Sequence, residues 1–168
     1  MKLAFCHASS LPEGTFVKYH THDVLEIVYY THGEGEIFLD GARSEIRPGV
    51  FHVAPAGMKH EQKNRSPLRA ICIGVGQSGL EDLAGAYQDL HGIVRYHAER
   101  LIAELLAKSG AWEIVALGIV YEISGLVRRI IQQPENVAPD DVVERALQLI
   151  REREGRVSVE ELSTALYL

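Results

Sequence analysis

Two histidines separated by one residue, His20-Thr21-His22, are followed by Glu26, and a further histidine, His60, lies just past a Pro55-Ala56-Gly57 turn. Imidazole and carboxylate are the standard ligands of zinc, iron, manganese, nickel and copper. In an extended strand side chains alternate faces with period two, so positions 20, 22 and 26 share a face unless a bulge intervenes. His60 is placed to add a fourth ligand from a neighbouring strand. Tyr19, Val28, Tyr30 and His52 are the expected lining of a pocket beside these groups, 28 and 30 sharing the parity of the ligands. No general acid or base stands out beyond the ligand set, so no catalytic residue is assigned.

The elements that must position this set are marked by the punctuation of the chain. From Thr15 to Gly76 apolar stretches of strand length alternate with turn signals at Gly33, Asp40-Gly41, Pro48-Gly49, Pro55-Ala56-Gly57 and Pro67, the rhythm of an all-β sandwich or barrel. Residues 25–30 favour a strand, residues 36–46 read as a hairpin closed by Asp40-Gly41 in a type I′ turn, and residues 51–54 and 70–75 supply further strands. After Gly79 the period changes. Leu90, Val94, His97, Leu101 and Leu105 recur at helical spacing over residues 80–106, and Ala116, Val120, Ile123, Val127 and Ile130 form a second amphipathic seam. Lys108-Ser109-Gly110 is short enough to join the two as an antiparallel hairpin.

Composition bounds the rest. The chain has 168 residues, 46% hydrophobic, and a net charge of -6, enough for a real core and too acidic to grip phosphate backbones on its own. Residues 1–78 carry 8 basic and 8 acidic side chains, so the remaining 9 basic and 15 acidic groups put the whole negative charge in the second half. Six of the eight histidines lie in the first 60 residues, which concentrates the expected chemistry there. The start is too polar for a signal peptide and nothing approaches a membrane span, so the protein reads as cytoplasmic with no membrane partner. Cys6 and Cys72 lack CxxC spacing and read as apolar fillers.

These residues resemble the cupins. The first cupin motif is met by Gly14, His20, His22, Glu26 and Gly33, and the second by Gly49, Pro55, Gly57, His60 and Asn64, with every gap in order. The resemblance covers about residues 14 to 76. It implies a double-stranded β-helix barrel with His20, His22, Glu26 and His60 facing inward as ligands of a divalent transition metal ion, Zn, Mn, Fe or Ni. The expected fold class is therefore mainly β with C-terminal helices: a cupin barrel, an antiparallel helical hairpin and two short helices.

The order of segments resembles bacterial transcription regulators of the AraC type. The implied division is a cupin sensor over residues 1–78, a dimerising helical hairpin over 79–133, a Pro-containing linker over 134–141, and the incomplete start of a helix-turn-helix domain over 142–168. Within the last segment Val143, Ala146, Leu147 and Ile150 suggest a short helix stopping at Gly155, and Ser158 to Glu161 has capping-box spacing for a helix through Leu166. Ser163 stands where that family usually has alanine. A helix-turn-helix reads bases with its second helix, which would lie past Leu168, so this polypeptide is expected to be part of a longer regulator and to bind DNA only through the missing portion. Val120, Ile123, Val127 and Ile130 are the expected dimerisation residues of a homodimer, the other use open to this seam being packing on the helix over residues 80–106 or against the barrel. The expected function is effector sensing by a small molecule in the barrel; the alternative is a metal-dependent cupin enzyme, a dioxygenase or isomerase.

Overall fold

The computed structural model describes residues 1–132, 146, 147, 149–151, 153 and 155–166. Contacts divide the chain into two units, Met1–Gln132 and Gln133–Leu168. The first unit opens with nine strands: β1 (Lys2–Leu11), β2 (Phe16–His20), β3 (Leu25–His32), β4 (Gly35–Leu39), β5 (Ala42–Ile46), β6 (Val50–Ala54), β7 (His60–Asn64), β8 (Leu68–Gly76) and β9 (Gly85–Gln88). It closes with helices α1 (Ile93–Ala107) and α2 (Trp112–Gln132). The strands form two antiparallel sheets, β1-β8-β3-β6-β9 and β2-β7-β4-β5. The mainly β architecture with C-terminal helices is the one expected.

Strand β3 shows why the larger sheet reads as nearly continuous hydrophobic sequence. Residues 25–30 are all buried. Glu26, Val28 and Tyr30 share the face turned to the barrel interior, where Val28 and Tyr30 join Ile37, Leu39, Ile46, Val50, Leu68 and Ala70 in one core. Leu25, Ile27 and Tyr29 occupy the other face, and α1 packs against β3 and β1. A strand covered on both sides loses the polar positions that an exposed face would keep.

The 36–46 hairpin forms as expected. Leu39 pairs with Ala42, and Asp40 and Gly41 have φ of 45° and 86°, the left-handed pair that a tight hairpin turn requires. Strands β1 and β9 lie outside the expected set. The first is an edge strand that among the described residues pairs only with β8, and its burial does not alternate cleanly. The second corrects the helical expectation for residues 80–92. Residues 85–88 pair with β6, so this stretch belongs to the barrel and α1 begins only at Ile93. Of the positions that set the expected helical spacing, Leu90 alone falls in this stretch, and it is 73% exposed before the helix begins.

Asp89 starts α1 from outside the helix. Its carboxylate accepts the backbone N–H groups of Ile93, Val94 and Arg95 at 3.1, 3.0 and 3.2 Å, the orphan donors of a first turn. The helix ends at Lys108 in the left-handed conformation (φ 45°), and the chain turns back into α2 so that His97 and Arg100 reach Glu122 at 2.9 and 3.1 Å. The seam of α2 is consumed by this packing. Val120, Ile123, Val127 and Ile130 are at most 7% exposed within the single chain, held against α1 and β1. The assignment of these four side chains as a dimer surface is therefore corrected: their apolar area is already covered by the protomer's own hairpin.

In the second unit the expected linker, residues 134–141, and Val143 lie outside the described residues. Residues 146, 147 and 149–151 are helical, and Gly155 donates to the carbonyl of Ile150 at 2.7 Å with φ of 78°, a left-handed glycine stop. Helix α3 (Val159–Leu166) carries the expected capping box. Glu161 N–H donates to Ser158 Oγ at 3.1 Å, and Ser158 N–H donates to the Glu161 carboxylate at 2.8 Å.

Candidate metal centre

His20, His22, Glu26 and His60 come together, with one ligand atom from each lying within 4.8 Å of all the others. They do so by a different route from a shared strand face. Strand β2 ends at His20, residues 21–24 leave the ladder, and Glu26 lies in β3 of the other sheet. The HxH segment is thus the crossing between sheets. His20 pairs directly with His60 at the start of β7, His22 sits on the connecting loop, and Glu26 faces them from the larger sheet.

Local turns lock this crossing. Gly57 N–H donates to the His22 carbonyl at 2.9 Å, which ties the Pro55-Ala56-Gly57 turn to the HxH loop; Gly57 has φ of 79°, where a side chain would be strained. The hairpin turn fixes the other side: Lys59 N–H donates to Asp40 Oδ1 at 3.0 Å and Asp40 N–H to the Lys59 carbonyl at 2.7 Å. His60 comes immediately after.

Ring orientation is set by the backbone. His20 Nδ1 lies 2.9 Å from the Lys18 carbonyl and His60 Nδ1 lies 3.0 Å from the Met58 carbonyl. A carbonyl can only accept, so both rings carry a proton on Nδ1, and in the neutral ring Nε2 is then the lone pair that a metal-ligating histidine needs. His60 Nε2 is buried without a hydrogen-bond partner among the described residues, and it stands 3.3 Å from Glu26 Oε2, with His22 Nε2 at 3.4 Å from the same oxygen. Burial by itself would raise the Glu26 carboxyl, but contact with His60 and the nearby imidazoles outweighs it and the net shift is downward. His60 shows the complement: burial would lower it, yet Glu26, the Met58 carbonyl and Asp40 move it up. A charged carboxylate and three imidazoles with converging lone pairs fit a divalent transition metal.

A pocket of about 430 Å³ adjoins the cluster, with apolar walls that include Val17, Val28, Ile37, Leu68 and Ala70. Val28 and His52 line it as expected. Tyr19 does not: it is 51% exposed, because the residue before an inward-facing His20 must face outward on the same strand. Tyr30 is also absent from the lining; it is fully buried behind it, with its hydroxyl bonded to His52 and Gln62. Sequence reasoning missed Gln62 as a pocket residue. The available signal was the alternation His60, Gln62, Asn64, three polar residues of one parity that are all buried in β7. His52 is fully enclosed, and burial pushes its imidazole down to about 4.

Residues 8–74 match the family model described as Cupin domain. Over these residues the chain has the cupin fold. Similar solved structures include a cupin protein from Bacteroides fragilis, 28% identical, covering 43% of this chain and 64% of that one with a TM-score of 0.41. A predicted oxalate decarboxylase from Thermotoga maritima is 26% identical, covering 44% and 67% with a TM-score of 0.42. A salicylate 1,2-dioxygenase from Pseudaminobacter salicylatoxidans is 14% identical, covering 50% and 24% with a TM-score of 0.41. The chain spans less than two thirds of the length of the Bacteroides fragilis protein. No curated protein matches the chain. Among the described residues no helix is long and apolar enough to cross a membrane.

Proposed function

We propose that the chain is the metal-containing, small-molecule-sensing part of an AraC-type transcription regulator. The observation that carries the sensing half of this reading is the convergence of His20, His22, Glu26 and His60 beside an apolar-walled pocket. The regulator half rests on the resemblance and on the segments after the barrel: a helical pair packed on its outer face, then a unit whose capped helix α3 suits the opening of a helix-turn-helix. In this reading His20, His22, Glu26 and His60 would hold a metal that would supply Lewis acidity toward the effector, the full-length regulator would contact DNA through a recognition helix outside this sequence, and the protein would work as a homodimer in the cytoplasm. The dimer surface must come from residues other than the buried α2 seam.

The test is to purify the full-length product and measure its affinity for its own promoter DNA with and without candidate effectors. An effector that changes that affinity at least tenfold without being consumed supports the regulator. Metal-dependent turnover of the bound molecule supports the second reading, a cupin dioxygenase or isomerase, which the complete three-histidine, one-glutamate set favours. Absence of stoichiometric metal in several preparations would remove the metal from either reading, and a monomer at micromolar concentration in sedimentation would remove the dimer.

A further inference from the structure

Behind the metal ligands a chain of buried polar side chains runs through the barrel wall. Asn64 Nδ2 lies 3.5 Å from the Pro12 carbonyl, Gln62 Nε2 2.7 Å from Asn64 Oδ1, the Tyr30 hydroxyl 2.9 Å from Gln62 Oε1, and His52 Nδ1 3.1 Å from the Tyr30 hydroxyl. All four side chains are buried. The direction of every link is fixed by the first. The Pro12 carbonyl can only accept, so the Asn64 amide donates to it and turns its oxygen toward Gln62. Gln62 then donates through Nε2 and offers Oε1 to Tyr30. Tyr30 has a single proton, spends it on Gln62, and can only accept from His52. Reversing either amide would set two acceptors or two donors against each other in a buried site.

His52 is consequently held as the Nδ1–H tautomer. Its Nε2 is buried with no hydrogen-bond partner among the described residues, and the ring lines the pocket. We infer that the Asn64–Gln62–Tyr30 relay presents His52 Nε2 to the pocket as a bare acceptor, and that the barrel selects compact, largely apolar ligands bearing a hydroxyl or N–H donor. An unpaired lone pair in a dry site discriminates strongly, because a ligand without a donor leaves it desolvated and unmatched. A ligand whose only polar atoms are carboxylate oxygens is disfavoured at this point, since lone pair would face lone pair. His52 acts here as a specificity residue, and Tyr30 and Gln62 as positioning residues acting through it. The ligand class rests on the reading of the barrel as a small-molecule site; the tautomer does not.

The experiment has two arms. Long-range proton–nitrogen spectra of ¹⁵N-labelled, chelator-treated protein read the His52 tautomer without any metal. Protonated Nδ1 with bare Nε2 is expected, shifting to a tautomer mixture in Tyr30→Phe; protonated Nε2 in the unaltered protein overturns the relay. In the second arm phenol and toluene, nearly equal in size, are titrated into metal-free and zinc-loaded protein. Phenol is expected to bind at least about tenfold more tightly, although toluene is the more hydrophobic, and His52→Leu is expected to abolish that preference with the metal ligands intact. Equal binding, binding of neither, or a preference that survives His52→Leu overturns the ligand class. Failure to load zinc would remove the metal reading while the tautomer and the metal-free titration still decide this one.

Discussion

The metal cluster and the relay behind it are built from the same kinds of side chain and ask for opposite things. His20, His22, Glu26 and His60 direct lone pairs at a common space, drawn from two sheets and a loop. Asn64, Gln62, Tyr30 and His52 instead match donor to acceptor link by link, leaving one nitrogen free at the end. The first arrangement is poised for a cation and the second for a ligand atom that carries a proton. What separates them is not the tautomer, which is Nδ1–H in His20, His60 and His52 alike, but whether the bare Nε2 converges with other ligand atoms and a carboxylate or ends a chain of matched donors and acceptors.

The comparison can be broken most directly at the cluster. The quadruple alanine variant of His20, His22, Glu26 and His60 is expected to lose stoichiometric zinc, and His60→Ala alone to lose affinity by on the order of a hundredfold, as read by isothermal titration and elemental analysis. In the unaltered protein, zinc at about a hundred times its dissociation constant should add about 2.7 kcal/mol to unfolding free energy.

The relay predicts a pH effect with a definite sign. Burial holds His52 at about 4, below the 6.5 of a free imidazole, so as pH falls the unfolded chain takes up this proton first. The group costs nothing above pH 6.5, and stability is lost as pH falls from there toward 4, by about 3 kcal/mol in full. Urea melts of the metal-free protein should show this loss, and His52→Leu should show a shallower one; identical slopes would mean that the ring is not held neutral by the fold. Next in size, Tyr30→Phe should cost about 2 kcal/mol at pH 7, because it unpairs both Gln62 Oε1 and His52 Nδ1. Its zinc affinity should change by less than about threefold, which separates the relay from the ligand set. Tyr19→Ala, at an exposed position, should stay within about 0.5 kcal/mol of the unaltered protein and bind zinc normally.

Much of the cluster was legible because its residues carry their spacing in local sequence: HxH, the glutamate, and the histidine after the proline-glycine turn. The strand-face argument brought together residues that do converge, but by the wrong geometry, since alternation within one strand cannot foresee that residues 21–24 cross between sheets. The Asp40-Gly41 hairpin and the Ser158–Glu161 capping box were readable for the same reason, their determinants lying within a few residues of one another. Strand β9 was not, because four residues of modest apolarity acquire their identity only by pairing with β6. The relay was the least readable. Tyr30, His52, Gln62 and Asn64 come from three strands, and only the shared parity of positions 60, 62 and 64 hints that polar groups turn inward there. The α2 seam shows the converse: its periodicity correctly marks a buried face and cannot say what buries it.

Asp89 gives the relay a reach beyond the pocket. His52 stands opposite Ala86 in the β6–β9 ladder, and three residues further along the chain Asp89 grips the first turn of α1. One strand thus bears on the pocket wall at one end and on the helical pair at the other. A ligand bound at His52 therefore sits one strand pairing and three residues of chain away from the group that caps α1.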